Sequence, residues 1–230
     1  MNIAILPARG GSKRIPRKNI KEFCGKPIIA WSIEAARKSG IFDRIVVSTD
    51  DAEIASIARS YGADIPFKRP VEFSDDKTGT HAVIKHAIQA LEAQTISCQH
   101  ICCIYPTAPF IHVQDILKGY ENITQAPQVQ YSFPVCEFSY PIQRALKYNE
   151  GKLSMFQPHH FTSRSQDLEP AYHDAGQFYW GTKEAYLNDL PIFSDRTLPI
   201  IIPRMRTIDI DTVEDWELAL LMAQYLLPKG

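Results

Sequence analysis

The chain has 230 residues, 45% of them hydrophobic, and its 25 Lys and Arg against 26 Asp and Glu leave a formal net charge of −1. This length and apolar content predict a single domain over 1–230 with one sizeable core, and the near-neutral charge argues against a nucleic-acid partner, since general nucleic-acid binders are usually basic. No apolar run approaches the ~18 residues of a membrane span and the five scattered cysteines form no paired CxxC pattern, so we expect a cytoplasmic protein with reduced thiols and no membrane partner.

Short apolar runs alternate with helical patterns over the first two thirds of the chain. The chain opens on an apolar run without a charged leader, which predicts a strand and not a signal peptide. Further compact apolar runs predict buried strands, and apolar residues at helical spacing predict helices. The strands are expected at 2–6, 44–48 and 100–105, and the helices at 27–39, 51–61 and 80–93. This alternation predicts an α/β fold, a mostly parallel sheet with helices on both faces.

The pattern changes after about residue 125. Extended segments are expected at 129–135 and 145–155, the second with a hairpin turn at Asn149-Glu150-Gly151, and short strands at 178–180 and 198–202. A last helix is expected to begin after Thr212 as N-cap, with Asp215 three residues on. We interpret about 129–180 as a small antiparallel insertion that contributes to the site and to a dimer contact.

The basic loop (residues 6–19) reads LPARGGSKRIPRKN and lies between the first strand and a helix. Gly10 and Gly11 allow a sharp turn with exposed amides that face an anion. Five cationic side chains can grip phosphate oxygens, namely Arg9, Lys13, Arg14, Arg17 and Lys18. Ligands of α/β proteins bind at this end of the strands, so the loop predicts a phosphate site; a solvated basic loop is the alternative. Neither the P-loop motif GxxxxGK[ST] nor the dinucleotide-binding motif GxGxxG is present. The loop is therefore neither that of a P-loop kinase nor a GxGxxG dinucleotide-binding loop.

The basic loop resembles the nucleotide-binding signature of the CMP-sialic acid synthetase family. The pattern LxARxxSKxxxxKN is met by Leu6, Ala8, Arg9, Ser12, Lys13, Lys18 and Asn19. Three more segments fit in order: RIVVSTDD at 44–51, YPTAPF at 105–110 and TIDIDTVEDWELA at 207–219. The resemblance covers nearly the whole chain. It implies a Rossmann-like nucleotidyltransferase fold, a homodimer, and transfer of CMP from CTP to the anomeric hydroxyl of a nine-carbon 2-keto sugar acid.

Departures from the family pattern indicate which sugar acid is the expected substrate. Tyr105 stands where members acting on sialic acid read Gln in QPTSP, and the QGDEP phrase of members acting on 3-deoxy-octulosonate is absent from the sequence. The phrases SRSQDL at 163–168 and YHDAG at 172–176 resemble those of the branch that activates pseudaminic acid. Pseudaminic acid is therefore expected, with sialic or legionaminic acid as the alternative. A sugar-1-phosphate enzyme would need the GxGxRxxPxxK spacing, and a non-catalytic homologue would be expected to lack Arg9, Lys18 or the acids of IDID.

The resemblance also implies roles for individual residues. Arg9 and Lys18 are the expected catalytic residues, which neutralise charge on the leaving pyrophosphate. The expected nucleotide-binding set is Pro7, Ala8, Arg9, Gly10, Gly11, Ser12, Lys13, Lys18, Asn19, Arg69, Thr78 and Thr80. Helix capping is an equal alternative for Thr78 and Thr80, and Asp50 either faces the ligand or caps the helix that follows it.

Metal and sugar contacts are expected toward the C-terminus. Asp209 and Asp211 are two residues apart, so in an extended stretch both carboxylates share one face while the intervening isoleucines pack on the other. Such a pair suits Mg²⁺; capping of the last helix is the alternative. The expected sugar contacts are Tyr105, Arg164, His173, Asp174 and Gln177, with Arg164 clamping the carboxylate. A scaffold role is the alternative for His173, and the pair His159-His160 is expected at the surface or in a dimer contact.

Overall fold

The computed structural model describes residues 1–227. Its strands are β1 (Asn2–Pro7), β2 (Glu22–Phe23), β3 (Lys26–Pro27), β4 (Arg44–Ser48), β5 (His100–Ile104), β6 (Tyr131–Glu137), β7 (Leu146–Asn149), β8 (Lys152–Met155), β9 (Tyr172–Asp174), β10 (Phe178–Thr182) and β11 (Thr197–Ile201). Its helices are α1 (Ile28–Ser39), α2 (Ala52–Ser60), α3 (Thr80–Glu92), α4 (Val113–Gln125), α5 (Lys183–Leu187) and α6 (Val213–Leu226). Within 1–227 there is no helix both long and apolar enough to cross a bilayer.

The central sheet has the strand order β11-β6-β10-β5-β1-β4, and β9 pairs with β6. β1 is parallel to β4 and β5, and β11 is parallel to β6. β10 runs antiparallel to β5 and β6, and β9 runs antiparallel to β6. Most strands therefore share one direction, and the predicted α/β fold with a mostly parallel sheet is confirmed.

The alternation of side chains along β1 divides the core between the two faces of the sheet. Ala4 and Leu6 pack with buried residues of α1, α2 and α4. Ile3 and Ile5 point to the opposite face and pack with residues of α3 and α5. This period of two is what a buried strand requires, and it places helices on both faces, as predicted.

A third cluster joins the two ends of the chain. Ile15 of the basic loop and Phe23 of β2 are buried against Ile210 and against Trp216 of α6. The rings of Phe23 and Trp216 meet edge to face with centroids 5.5 Å apart. Helix α6 begins at the predicted N-cap, since Thr212 and Asp215 form a reciprocal capping box. The cluster holds the C-terminal acids beside the basic loop.

Helix α4 has no counterpart among the predicted elements. Its buried positions are Ile116, Gly119 and Ile123. With Leu117 and Tyr120 they follow helical spacing, so the sequence carried this signal and the prediction omitted it. Gly119 allows close packing on the sheet, because a Cβ there would lie 2.5 Å from Cδ1 of Trp180. The Trp180 indole nitrogen donates a hydrogen bond to the Ile116 oxygen at 2.9 Å.

The segment outside the main sheet is shorter than the predicted insertion at 129–180. β6 and β10 at its ends are strands of the main sheet, and their antiparallel pairing is what resembled a separate unit. The appendage (residues 138–171) contains the β7–β8 hairpin, which is confirmed with Glu150 and Gly151 at φ 49° and 78° in the turn. His159 and His160 lie in the appendage with ring centroids 4.1 Å apart.

The N-terminus of α2 is fixed by Asp51. Its carboxylate accepts hydrogen bonds from the amides of Glu53 and Ile54 at 3.0 and 2.9 Å and from both terminal nitrogens of Arg17. The cap of α2 is therefore Asp51 and not Asp50. The same carboxylate holds Arg17, whose backbone has a φ of 57°, so it also ties the basic loop to α2.

Replacing Asp51 with alanine is expected to lower the free energy of unfolding by about 2 kcal/mol at neutral pH, since a helix cap and an ion pair are lost together. Hydrogen bonding to the Arg17 guanidinium, assisted by the helix amides, lowers the pKa of the Asp51 carboxyl from 3.8 to about 2. The contribution is complete above pH 3.8 and is lost as the pH falls toward about 2. Unfolding measured across that window should show the deficit shrinking. Asp51→Asn keeps a cap and should lose about half as much; a pH-independent deficit would contradict this account.

Candidate active site

A cleft of about 510 Å³ opens at the carboxyl ends of β1 and β5. Eleven residues predicted for the site line it: Pro7, Arg9, Ser12, Lys13, Lys18, Asn19, Arg69, Thr78, Thr80, Tyr105 and Asp211. The lining also includes Arg14, Phe73, Asp75, Asp76, Val83, Pro106 and Thr107. The structure thus brings segments from four distant parts of the sequence around one cleft.

Backbone contacts shape the basic loop. The Ala8 amide donates to the Ser48 oxygen at 2.9 Å, which extends the β1–β4 pairing by one residue. The Gly10 amide donates to Oδ1 of Asp50 at 3.0 Å. A Cβ at Gly10 would lie 2.7 Å from Oδ2 of Asp51, so only glycine fits this close approach. Gly11, by contrast, is exposed and has nothing within 4 Å of where its Cβ would be.

Two side chains brace the loop from within. The Ser12 hydroxyl donates to the Ile15 oxygen at 2.6 Å. The amide nitrogen of Asn19 donates to the Arg9 oxygen at 2.9 Å, and Asn19 is buried. The Asn19 bond holds the Arg9 backbone in place, so Asn19 acts on the loop as well as lining the cleft.

Lys18 joins the basic loop to the acidic segment (residues 207–211). Its Nζ donates to the Ile210 oxygen at 2.6 Å and to Oδ1 of Asp211 at 3.2 Å. Arg14 pairs with the other oxygen of Asp211 at 3.0 Å. The capping box of α6 is formed by Thr212 and Asp215, so the Asp211 carboxylate does not cap this helix. It pairs with the cations Lys18 and Arg14 instead.

The acidic segment has the composition that a divalent cation would need. Ile210 is fully buried, while the half-buried Asp211 lines the cleft and Asp209, although exposed, lies outside the cleft lining. Desolvation, followed by the charge of Asp211, raises the pKa of the Asp209 carboxyl. Over residues 1–227 no group of three or more His, Cys, Asp or Glu forms a metal cage. Mg²⁺ is commonly held by one or two carboxylates together with substrate phosphates and waters, so this pair fits that ion.

The segment 73–79 faces the basic loop across the cleft mouth. Arg9 donates to the Asp75 oxygen and pairs with the Asp76 carboxylate, both at 2.6 Å, and Lys13 also pairs with Asp76. These exposed pairs contribute little to stability. They place both cations at the cleft mouth, where an anionic ligand would compete with Asp76. The sequence signal for this contact is the acidic pair Asp75-Asp76, which lies outside the four segments that resemble the family.

Arg69 is the most deeply buried cation of the cleft, at 3% exposure. Its nearest carboxylate is Asp50, with Oδ1 3.7 Å from Nη2. Nε and Nη2 have no hydrogen-bond partner within residues 1–227, and burial lowers the pKa of the guanidinium. A buried cation without full hydrogen bonding is costly, so the side chain is suited to an anionic ligand.

The two predicted threonines are not helix caps. The N-cap of α3 is Gly79, without a side-chain bond. The Thr78 hydroxyl donates to the Glu72 oxygen at 3.1 Å. Thr80 is the first residue of α3 and lines the cleft near Tyr105. Both residues therefore belong to the cleft wall.

The predicted sugar contacts divide into two groups. Tyr105 lines the cleft, while Gln177 lies behind it, buried, with its amide nitrogen 2.7 Å from the Arg206 oxygen. His173 packs on Phe138 and its Nδ1 lies 2.9 Å from the backbone oxygen of Asp174. Arg164 lies in the appendage, 79% exposed and 3.9 Å from Asp167. Within one copy of the chain, Tyr105 is thus the predicted sugar contact found in the cleft lining.

A cationic, glycine-bearing loop that pairs with the Asp211 carboxylate at the carboxyl edge of an α/β sheet is typical of a nucleotide-binding protein of the nucleotidyltransferase class. The chain belongs to the cytidylyltransferase family, whose model matches residues 3–224. The family resemblance expected from the sequence is confirmed.

Individual relatives agree over nearly the whole chain. A pseudaminic acid cytidylyltransferase of Campylobacter jejuni is 49% identical, covering 96% of this chain and 95% of that protein. A CMP-N,N'-diacetyllegionaminic acid synthase of Legionella pneumophila is 30% identical, covering 94% and 93%. The solved structure of CMP:2-keto-3-deoxy-manno-octonic acid synthetase complexed with CTP superposes with a TM-score of 0.72 at 17% identity, covering 98% and 99%. The last comparison confirms the nucleotidyltransferase fold.

Proposed function

We propose that this chain transfers CMP from CTP to the anomeric hydroxyl of pseudaminic acid and releases pyrophosphate. The observation that carries the proposal is the 49% identity to the Campylobacter jejuni enzyme over 96% of the chain. The cleft supports it chemically, because Arg9, Lys13 and Lys18 face one space with the acidic segment beside them.

In the proposed reaction the anomeric hydroxyl attacks the α-phosphorus of CTP in line. A new P–O bond to the sugar forms, the bond to the bridging oxygen of the β-phosphate breaks, the hydroxyl proton is released, and pyrophosphate leaves. Arg9, Lys13 and Lys18 hold the triphosphate and neutralise the leaving group. The loop amides of Gly10–Ser12 cradle phosphate, the Pro7 and Ala8 backbone reads cytosine, and Arg69 binds a phosphate oxygen.

Asp209 and Asp211 are proposed to hold Mg²⁺ together with the substrate phosphates. The bound ion would reduce repulsion at phosphorus and lower the pKa of the attacking hydroxyl. Lys18 and Arg14, which pair with Asp211, keep the acidic segment oriented toward the cleft before the ion arrives.

A homodimer is proposed through the appendage. Its side chains Tyr148, Leu153, Phe156 and Phe161 are between 63% and 75% exposed, an apolar surface that a second copy would cover. In such a dimer, Arg164 of one copy would reach the cleft of the other and clamp the acid's carboxylate. The cytoplasm is the proposed location, where CTP is available and the five free thiols would stay reduced.

The proposed reaction is tested by pyrophosphate release with CTP and Mg²⁺, comparing pseudaminic, legionaminic and N-acetylneuraminic acids. Strong turnover with pseudaminic acid alone is the expected result, and EDTA should abolish it reversibly. Turnover with another acid instead would keep the mechanism and overturn the substrate. No release with any acid, from protein that binds CTP, would overturn the proposed activity.

A further inference from the structure

A buried ion pair stands next to the acidic segment and takes no direct part in the proposed reaction. Nη1 of Arg206 donates to Oδ2 of Asp115, and the two side chains are only 11% and 15% exposed. Neither residue lines the cleft. Removing two charges from water costs about as much free energy as their attraction returns, so stability alone does not account for the pair.

Asp115 is fixed to the core of the protein. It lies in the first turn of α4, where the helix dipole favours a carboxylate. The next residue, Ile116, accepts the hydrogen bond of the Trp180 indole at 2.9 Å, and Gly119 allows α4 to lie directly on that ring. Arg206 is therefore tied to a helix that cannot shift without disturbing the central sheet.

Arg206 ends the turn that leads into the acidic segment. It is the last residue of the 3₁₀ turn Arg204–Arg206, which follows β11. Its amide donates to the Pro203 oxygen at 3.0 Å, and its own oxygen accepts the side-chain amide of Gln177 at 2.7 Å. The main chain and the side chain are thus both held. Residues 207–211 belong to no strand or helix, so their position depends on such contacts and not on a sheet ladder.

Asp209 is held between two fixed points. It follows Arg206 by three residues, which limits the distance between them to about 10 Å. It also lies against the Gly176 turn, since a Cβ at Gly176 would be 3.7 Å from Cβ of Asp209. That turn is held by Asp174, whose carboxylate oxygens accept the Gly176 amide at 2.8 Å and the Tyr179 hydroxyl at 2.7 Å. Both oxygens of Asp174 are therefore engaged within the chain.

We propose that Arg206, tied to Asp115, is a positioning residue for the metal: it fixes the start of the acidic segment so that both carboxylates of that segment can hold one Mg²⁺ with the substrate phosphates. Two carboxylates close together repel each other, so contacts outside the segment are needed to keep them convergent before the ion binds. Lys18 supplies such a contact at the end of the segment, and Arg206 supplies it at the start. The proposal rests on the proposed function and deepens it by naming what prepares its metal site.

The test is Arg206→Met, which keeps the length of the side chain and removes its charge. Mg²⁺ raises the midpoint of thermal unfolding at a fixed, saturating CTP concentration by mass action. The Mg²⁺ concentration that gives half of this rise should be about tenfold higher in the variant, the usual cost of losing a residue that orients a metal ligand. The KM for Mg²⁺ in pyrophosphate release should rise equally, while kcat at saturating Mg²⁺ stays within about threefold. Lower stability with an unchanged Mg²⁺ dependence would overturn the proposal.

Gln177→Met is a second variant, which removes the other bond to Arg206 and leaves the ion pair in place. The Gln177 Oε1 atom is buried and has no hydrogen-bond partner within residues 1–227, so losing this side chain costs little stability. The Mg²⁺ requirement should rise about threefold, the size expected for one neutral hydrogen bond. If Arg206→Met does not fold, an unchanged Mg²⁺ dependence in Gln177→Met overturns the proposal by itself.

Glu34→Gln is the matched control. Glu34 pairs with Lys26 at 2.8 Å, the two side chains are 27% and 18% exposed, and neither lines the cleft. The variant therefore breaks a similar, partly buried ion pair elsewhere in the protein. It should lower thermal stability without changing the Mg²⁺ dependence. The same tenfold change in Glu34→Gln would overturn the proposal, because it would show a general effect of losing an ion pair.

The thermal titration needs only CTP and Mg²⁺, so it separates this proposal from the proposed reaction. A wild type that responds to Mg²⁺ but turns over no acid would overturn the transfer reaction, and Arg206 would still be judged by the titration. A wild type that turns over an acid but shows no Mg²⁺-dependent rise in the unfolding midpoint would overturn the positioning role alone.

Discussion

Replacing Lys18 with methionine is expected to lower kcat by about 10²–10³-fold, the usual cost of losing one group that stabilises transition-state charge. The Lys18 ammonium is held by the Ile210 oxygen and by Asp211, at the point where the basic loop meets the acidic segment. In the proposed reaction this is where negative charge grows on the leaving pyrophosphate. Methionine keeps the length of the side chain and removes the charge, and steady-state pyrophosphate release measures the effect.

The matched control for that variant is Lys21→Met. The Lys21 ammonium lies 4.5 Å from the centroid of the Trp216 ring, outside the cleft lining, and the substitution changes the net charge by the same amount. Its kcat should stay within about twofold of the wild type, because exposed charges at this distance are screened. Equal losses in the two variants would show a general charge effect. A loss confined to the KM for CTP would show that Lys18 serves binding and not the chemical step.

Replacing Arg69 with methionine should weaken CTP binding by about 10²-fold, the size expected for two charge-assisted hydrogen bonds. The same change should leave the ligand-free protein at least as stable as the wild type. Nε and Nη2 lack partners within residues 1–227, and replacing a poorly paired buried charge with an apolar side chain of similar size is often neutral or stabilising. Calorimetric titration with CTP and thermal unfolding without ligand measure the two effects.

Arg59→Met on the exposed side of α2 serves as the control and should change neither quantity. In the Arg69 variant the Asp50 carboxylate still accepts the hydrogen bond from the Gly10 amide, so the loss of Arg69 does not leave it without a hydrogen-bond partner. A clear fall in stability for Arg69→Met would instead identify the Asp50–Arg69 contact as structural. Unchanged CTP affinity would remove Arg69 from the nucleotide site.

The elements that the sequence predicted correctly are those whose signal is local. β1, β4 and β5 are short runs of buried residues, and the Thr212–Asp215 box is a contact across three residues. Helix α4 was missed although Ile116, Leu117, Tyr120 and Ile123 follow helical spacing. What the local sequence does not contain is the packing partner of the helix, since Gly119 lies against Trp180, 61 positions further along the chain. Local pattern carries no information about such a partner.

The same distinction separates the predicted from the unpredicted parts of the cleft. The basic loop is one continuous segment of sequence, so the residues with which it lines the cleft could be predicted from the sequence. Arg9 and Asp76 are in contact, but they lie in two loops far apart in sequence, and no sequence motif includes both. The packing of Tyr179 against Tyr105 depends on β10 lying beside β5, which is a property of strand order. For Asp174, the residue was predicted as a sugar contact, but the structure directs its carboxylate to Tyr179 and Gly176.

The cluster that joins Ile15 and Phe23 to Trp216 has a consequence for how the protein is made. During synthesis the acidic segment follows the basic loop roughly 190 residues later. Contacts so far apart in sequence form late in folding. The nascent chain therefore carries an incomplete phosphate site until the acidic segment has been synthesised, and the protein becomes competent to bind nucleotide only after that point.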